Sequence, residues 1–210
     1  MSQYFQLHPQ TPQQRLIRRA ADIVRAGGVI AYPTDSCYAL GCHIGDGEAL
    51  ERIRRIRQAG KDHHFTLMCR DLREVAHFAR LEDPQFRLLR TVTPGPFTFL
   101  LPATRETPRR LQHPKRRTIG VRIADHPVTG LLLAELGEPL MSSTLLLPGD
   151  ELPLTDGEQI REHLEHLVDL ILDGGHCGIE PTTVIDLAVS PPVLVRQGRG
   201  QLPGGGDGLQ

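Results

Sequence analysis

The chain has 210 residues, 39% hydrophobic and 23% charged, which is enough for one substantial core and excludes a disordered or fibrous protein. Its net charge of -1 hides a segregation of sign: Arg105 to Arg122 carries seven basic residues and one acid, whereas Ile123 to Val195 carries thirteen acids and one base, Arg161. Cys37, Cys42, Cys69 and Cys177 form no Cys-x-x-Cys pair, Met1 to Gln10 lacks a signal-peptide core, and no stretch approaches the ~20 apolar residues of a membrane helix, so a cytoplasmic protein with no membrane partner is expected.

Thr11 as an N-cap and Pro12 at the first position open a predicted helix whose stripe is Leu16, Ile17, Ala20, Ile23 and Val24, ended by Gly27-Gly28. Val29 to Tyr32 reads as a buried strand, with Pro33-Thr34-Asp35-Ser36 turning the chain beyond it. A second helix is predicted from about Gly47, with Leu50, Ile53 and Ile56 inward and Arg52, Arg54, Arg55 and Arg57 outward. A strand at Phe65 to Cys69 follows, then a helix capped by Asp71 and Glu74 and another from Pro84 toward Val92. Strands are predicted at Phe97 to Leu101, Thr118 to Ile123 and Leu140 to Leu146, with a helix from Val128 to Leu136 between the last two. Thr155 and Glu158 suggest a capping box before a helix through Ile160 and Leu164, which leads into a strand at Leu170 to Leu172. Thr183 to Val189 and Val193 to Arg196 read as a closing antiparallel hairpin. One domain over residues 1–202 is expected, with the Gly-rich tail 203–210 mobile.

Hydroxyl residues recur where these strands end: Thr34 and Ser36, Thr98, Thr118, Ser142 to Thr144, and Thr182 and Thr183. Open α/β sheets bind ligands beyond their strand ends, although a single such hydroxyl is more often satisfied by backbone. Arg57, Arg122 and Arg196 are candidate anchors for carboxylate or phosphate. Arg122 lies inside an apparent strand, where an unpaired buried charge would cost several kcal/mol, so it takes either an ion-pair partner or a ligand. Cys37, Cys42 and His43, and His63-His64 with Cys69, have poor spacing for a structural metal, and no phosphate-cradling Gly-x-x-x-x-Gly-Lys-Thr loop occurs.

Several segments, taken in order, resemble the threonylcarbamoyl-adenylate synthase superfamily, the YrdC/YciO type. They are Pro33-Thr34-Asp35-Ser36-Cys37-Tyr38-Ala39-Leu40-Gly41, Pro94-Gly95-Pro96-Phe97-Thr98-Phe99, Gly120-Val121-Arg122 with Asp125-His126-Pro127, Asp173-Gly174-Gly175, and Leu194-Val195-Arg196 with Gly198. Arg57-Gln58 with Phe65 to Leu72, and Pro181 to Leu187, resemble its YciO-like branch. The resemblance implies an α/β fold, a twisted mixed β-sheet flanked by helices, with a basic concave cavity. It also implies L-threonylcarbamoyladenylate synthase chemistry: threonine, bicarbonate and ATP give threonylcarbamoyl-AMP and pyrophosphate, for tRNA modification. ATP is then a substrate, and Mg2+ accompanies it.

By position, the resemblance places Thr34, Arg122, Ser142 and Thr182 around the amino acid, and Arg57, Thr118, Thr144 and Arg196 around the nucleotide. Two motifs depart from the family pattern. Its Lys-x-Arg is Arg57-Gln58-Ala59 here, and its Ser-x-Asn is Thr144-Leu145-Leu146. Arg57 is then the catalytic cation and Lys61, four residues on, the candidate replacement for the missing one; reduced synthase activity is expected. The alternative is a protein that binds tRNA or double-stranded RNA through Arg105, Arg109, Arg110, Lys115, Arg116 and Arg117 without catalysis. With 4% aromatic residues and no tryptophan, it would read backbone and shape.

Overall fold

Alternating apolar positions on the strands and apolar stripes on the helices sort the buried residues into two layers, one on each face of a mixed sheet. The computed structural model describes residues 1–60, 63 and 65–203. In chain order its elements are β1 (Gln3–Gln6), α1 (Gln14–Arg25), β2 (Ile30–Tyr32), β3 (Ala39–His43), α2 (Gly47–Arg57), β4 (Thr66–Met68), α3 (Leu72–Phe78) and α4 (Asp83–Val92). They continue with β5 (Phe97–Pro102), β6 (Thr118–Arg122), α5 (Pro127–Leu136), β7 (Leu140–Thr144), α6 (Gly157–Leu164), β8 (Leu170–Asp173), β9 (Thr183–Asp186) and β10 (Val193–Arg196). The ten strands found among the described residues form one sheet, ordered β1-β8-β2-β3-β7-β4-β6-β5-β9-β10. Parallel pairs (β1 with β8, β2 with β8, β4 with β6, β5 with β9) combine with antiparallel ones, and β9 and β10 form the expected closing hairpin.

On one face, Leu67, Phe99, Val121, Met141 and Ile185 join α2, α3, α4 and α6 in the larger core. On the other, Ile17, Ala20, Ala21 and Val24 of α1 pack with Val128, Leu132, Leu133 and Leu136 of α5 over Ile30, Tyr32, Leu140, Leu170 and Leu172. That second helical layer covers the β1 side of the sheet. The cavity described below lies on the same face over β7, β4, β6, β5 and β9. No helix among the described residues is long and apolar enough to cross a membrane.

Several element boundaries differ from the sequence reading, each for a local reason. Helix α1 starts after Gln13 rather than Thr11, because the Thr11 hydroxyl is hydrogen-bonded to His8 Nδ1 at 2.9 Å and Gln13 supplies the first carbonyl. The cap of α6 is Asp156, which accepts the Gln159 amide at 2.9 Å, whereas the Thr155 carbonyl is taken by the Cys177 amide. Strand β7 ends at Thr144, two residues short of expectation, as the Leu145 amide turns to the Tyr38 carbonyl. Strand β9 ends at Asp186, whose carboxylate accepts the Ala188 amide and closes a turn. Strands β1 and β3 were not expected; both are short and carry few β-branched residues.

Candidate functional site: a hydroxyl- and arginine-lined cavity

A strand with one face in a core must point its alternate residues the other way. Leu67, Phe99, Val121 and Met141 are in the larger core, so Thr66, Thr98, Leu100, Arg122 and Ser142 point to the opposite face and form the floor of a cavity of about 560 Å³. That volume suits a small-molecule ligand. Gly120 sits among them: a Cβ there would lie 2.9 Å from the Thr66 hydroxyl oxygen and 3.0 Å from the Phe65 carbonyl, so the floor tolerates no side chain at this point.

Arg122 projects from β6 into a nearly closed nest and is only 7% exposed. Its Nη2 donates to the Thr34 hydroxyl at 3.1 Å, to the Ser36 hydroxyl at 3.0 Å and to the Asp35 carboxylate. The ion-pair partner expected for Arg122 is thus Asp35, and the residue also lines the cavity. Thr34 does not reach the cavity. It lies behind Arg122 and donates to the Cys37 carbonyl at 2.6 Å, fixing the turn after β2. Ser142 lines the floor with its hydroxyl 2.6 Å from Tyr32 Oη, and burial pushes that phenol up to about 12, so it is a neutral hydrogen-bonding partner. Thr182 lies 2.9 Å from the Thr98 hydroxyl across the β5–β9 boundary.

Arg57 is the last residue of α2 and enters the cavity because Gln58, in the left-handed region at φ 47°, ends the helix there. Its Nη1 donates to Ser143 Oγ at 3.1 Å and to the Thr144 carbonyl. His63 Nε2 lies 3.2 Å from the same Ser143 hydroxyl. Arg196 of β10 donates to the Thr182 carbonyl from Nε and Nη2, at 3.1 and 2.9 Å. Burial pushes the Arg57 and Arg196 guanidinium groups down from their ordinary value, but arginine stays charged at neutral pH, so the cavity favours anions. Thr144 lines it as well, whereas Thr118 is buried and its hydroxyl has no partner among the described residues. Lys61 lies outside the described residues.

Sequence reasoning missed Thr66 and His63 as cavity residues, and named Arg116 only as one member of a basic cluster for RNA. Thr66 could have been found from its parity with Leu67; Arg116 looked no different from its neighbours in a basic run. It also missed the apolar lip, where Leu146, Leu152, Ile179 and Val195 line the cavity and Leu152 is 58% exposed. Leu146 stands where the superfamily's asparagine was expected. Among the described residues no group of three or more His, Cys, Asp or Glu could hold a metal ion, and Glu151 is the carboxylate on the cavity wall.

This arrangement defines an α/β protein with a cavity lined by arginines and hydroxyls, built on a mixed sheet with one face half covered. The family model for Sua5, YciO and YrdC, described as telomere recombination, matches residues 22–198, and the chain belongs to that family. It is 54% identical to the YciO protein of Escherichia coli K12 over 96% of this chain and 98% of that one, whose crystal structure superposes with a TM-score of 0.93. It is 35% identical to the threonylcarbamoyl-AMP synthase of Chromobacterium violaceum over 68% of this chain and 74% of that one. The structure of Sua5 from P. abyssi complexed with L-threonine superposes with a TM-score of 0.86 at 26% identity, over 93% of this chain and 57% of that one.

Proposed function

We propose that the chain is an L-threonylcarbamoyladenylate synthase-like enzyme that joins threonine, bicarbonate and ATP for tRNA modification, at a lower rate than relatives with intact Lys-x-Arg and Ser-x-Asn motifs. The observation that carries this reading is the convergence of Arg57, Arg122 and Arg196 with Ser142, Thr144 and Thr182 on one cavity. The names of the C. violaceum and P. abyssi relatives support the substrate class.

In this reading threonine and bicarbonate condense to an N-carboxylate with loss of water. A carbamate oxygen attacks the α-phosphorus of ATP, the bond from that phosphorus to the bridging oxygen breaks, and pyrophosphate leaves with the electron pair. The protein's part is to hold two anions together and stabilise the departing charge. Arg122, held by Asp35 and flanked by Ser142 and Thr182, receives the amino-acid carboxylate, with Thr34 positioning it from behind. Arg57, Thr144 and Arg196 face the phosphates. The described residues do not form a dedicated metal cage, so Mg2+ is expected to arrive on the phosphates of ATP. The reduced cysteines and the use of ATP fit the cytoplasm.

The test is threonine- and bicarbonate-dependent pyrophosphate release from ATP, with mass-spectrometric detection of the adenylate and Arg57→Ala as control. Product from the wild type and its loss in the variant support the reading. No product under conditions where a full-motif relative works overturns it. A second reading is RNA binding, favoured by the exposure of Arg105, Arg109, Arg110, Lys115, Arg116 and Arg117, of which Lys115 and Arg117 flank the cavity residue Arg116 in the chain. It predicts double-stranded RNA or tRNA binding that weakens steeply with salt and persists in Arg57→Ala.

A further inference from the structure

We propose that Arg116 is a substrate-contacting residue, the second cation of the phosphate subsite, held in place by Asp186; this assignment rests on the nucleotide reading above. Arg116 lines the same cavity as Arg57. It reaches it from the β9 side of the sheet, with β4, β6 and β5 between its anchor and the β7 residues that hold Arg57. Two cations so placed bracket the cavity, as a ligand carrying several phosphoryl groups requires.

The support for Arg116 is a built one. Its Nη2 lies 2.6 Å from Asp186 Oδ2, and the Asp186 side chain is 7% exposed while that of Arg116 is 39% exposed. Asp186 shares its parity on β9 with Val184, a cavity residue, so it rises from the sheet on the cavity face. Its other oxygen accepts the Ala188 amide at 3.0 Å, which fixes the carboxylate. The contact to Asp186 runs through one nitrogen of a guanidinium that carries five N–H donors, so anchoring does not exhaust the fork.

The backbone points the same way. Arg117 has φ 52°, in the left-handed region, and reverses the chain between Arg116 and β6. Its amide donates to His113 and its carbonyl accepts from Ala103, both at 2.9 Å, while the His113 amide donates to Thr118 at 2.8 Å. The loop is pinned on both sides of Arg116. A polyphosphate also fits this position better than the amino-acid carboxylate: Arg116 stands at the exposed rim, next to Lys115 and Arg117, whereas Arg122 with its ring of hydroxyls is enclosed.

The experiment is calorimetric titration of the full chain with ATP, AMP, inorganic triphosphate and L-threonine, for the wild type, Arg116→Gln, Arg116→Lys and Arg116→Gln/Asp186→Asn. The last variant leaves no unpaired carboxylate, so folding does not confound the result; thermal melting checks each protein. Expected is a loss of about ten- to a hundredfold in affinity for ATP and triphosphate with glutamine. Threonine binding should be unchanged, AMP nearly so, and lysine should restore part of the loss. Wild-type affinity for ATP in both glutamine variants, or an equal loss for threonine and ATP, overturns the role of Arg116 while leaving the nucleotide reading intact. A wild type that binds neither ATP nor triphosphate overturns that reading, and this assignment with it.

Discussion

Arg122 and Asp35 form an ion pair between a strand and the turn that follows a different strand, with 7% and 11% of their side chains exposed. Arg122 Nε and Asp35 Oδ2 are buried without partners among the described residues, so the pair is incompletely satisfied by the protein alone. Removing one member strands the other charge in a low-dielectric site. Arg122→Met is therefore expected to lower unfolding free energy by about 3–5 kcal/mol, while the double variant Arg122→Met/Asp35→Asn recovers most of the loss. Urea denaturation of the two variants and the wild type measures this; equal instability of the single and double variants would sink the ion-pair account.

The same pair shows where the sequence was legible. An arginine within Gly-Val-Arg-Ile had to find an anion, and it found both a carboxylate and the cavity. Hydroxyls at Ser142, Thr144 and Thr182 were likewise found because strand ends are readable from the turns beyond them. Thr34 was placed correctly in the chain but lies one layer behind the surface, which local pattern does not encode. Strand β1 escaped because Gln-Tyr-Phe-Gln has no apolar run, and its order comes from β8, far away in the chain. Arg116 was named only within a basic cluster, because its distinction from Arg117 lies in its partner Asp186, 70 residues on.

His126 precedes α5 with Nδ1 buried and without a partner among the described residues. Burial pushes its ring below the ordinary value of 6.5; Asp35 and Asp125 pull it up and Arg122 pushes it down, and burial prevails. Between the depressed folded value and 6.5 the unfolded chain binds more protons than the folded one, so stability rises with pH through that window. It is fully present above 6.5 and lost as the pH falls toward the folded value. Because other groups titrate too, the difference between wild type and His126→Gln is the readout. Urea melts at about pH 5 and about pH 7.5 should show the wild type gaining on the variant at the higher pH. A difference independent of pH would refute the assignment.

Gln58 ends α2 with φ 47° and ψ 37°, a conformation in which an L side chain crowds its own carbonyl. Its amide donates to the Arg55 carbonyl at 3.2 Å, and that of Ala59 to the Arg54 carbonyl at 3.0 Å, so the left-handed turn closes the helix and fixes where Arg57 leaves it. Gln58→Gly keeps this geometry without the crowding. It should raise stability by about 0.5–1 kcal/mol, with no change in ATP affinity. Chemical denaturation and calorimetry check the two halves; a loss of stability would mean that the glutamine side chain contributes more than its backbone conformation costs.

The cysteines are reduced and buried, and burial is the main cause that raises each thiol: Cys42 and Cys177 to about 12, Cys69 well above its ordinary value and Cys37 to a smaller extent. Since the thiolate is the reactive form, all four should alkylate slowly in the native protein at neutral pH and readily in urea. Cys37 differs in lining the cavity, and Arg122, Arg196 and Arg199 partly offset its burial. It should therefore be the first to react with iodoacetamide in the native state, as read by peptide mass spectrometry. Saturating ATP with threonine should slow that reaction severalfold, while urea-unfolded protein should show no protection. Rapid native labelling of Cys69, or labelling of Cys37 that ignores saturating ligand, would contradict the placement of the cavity wall.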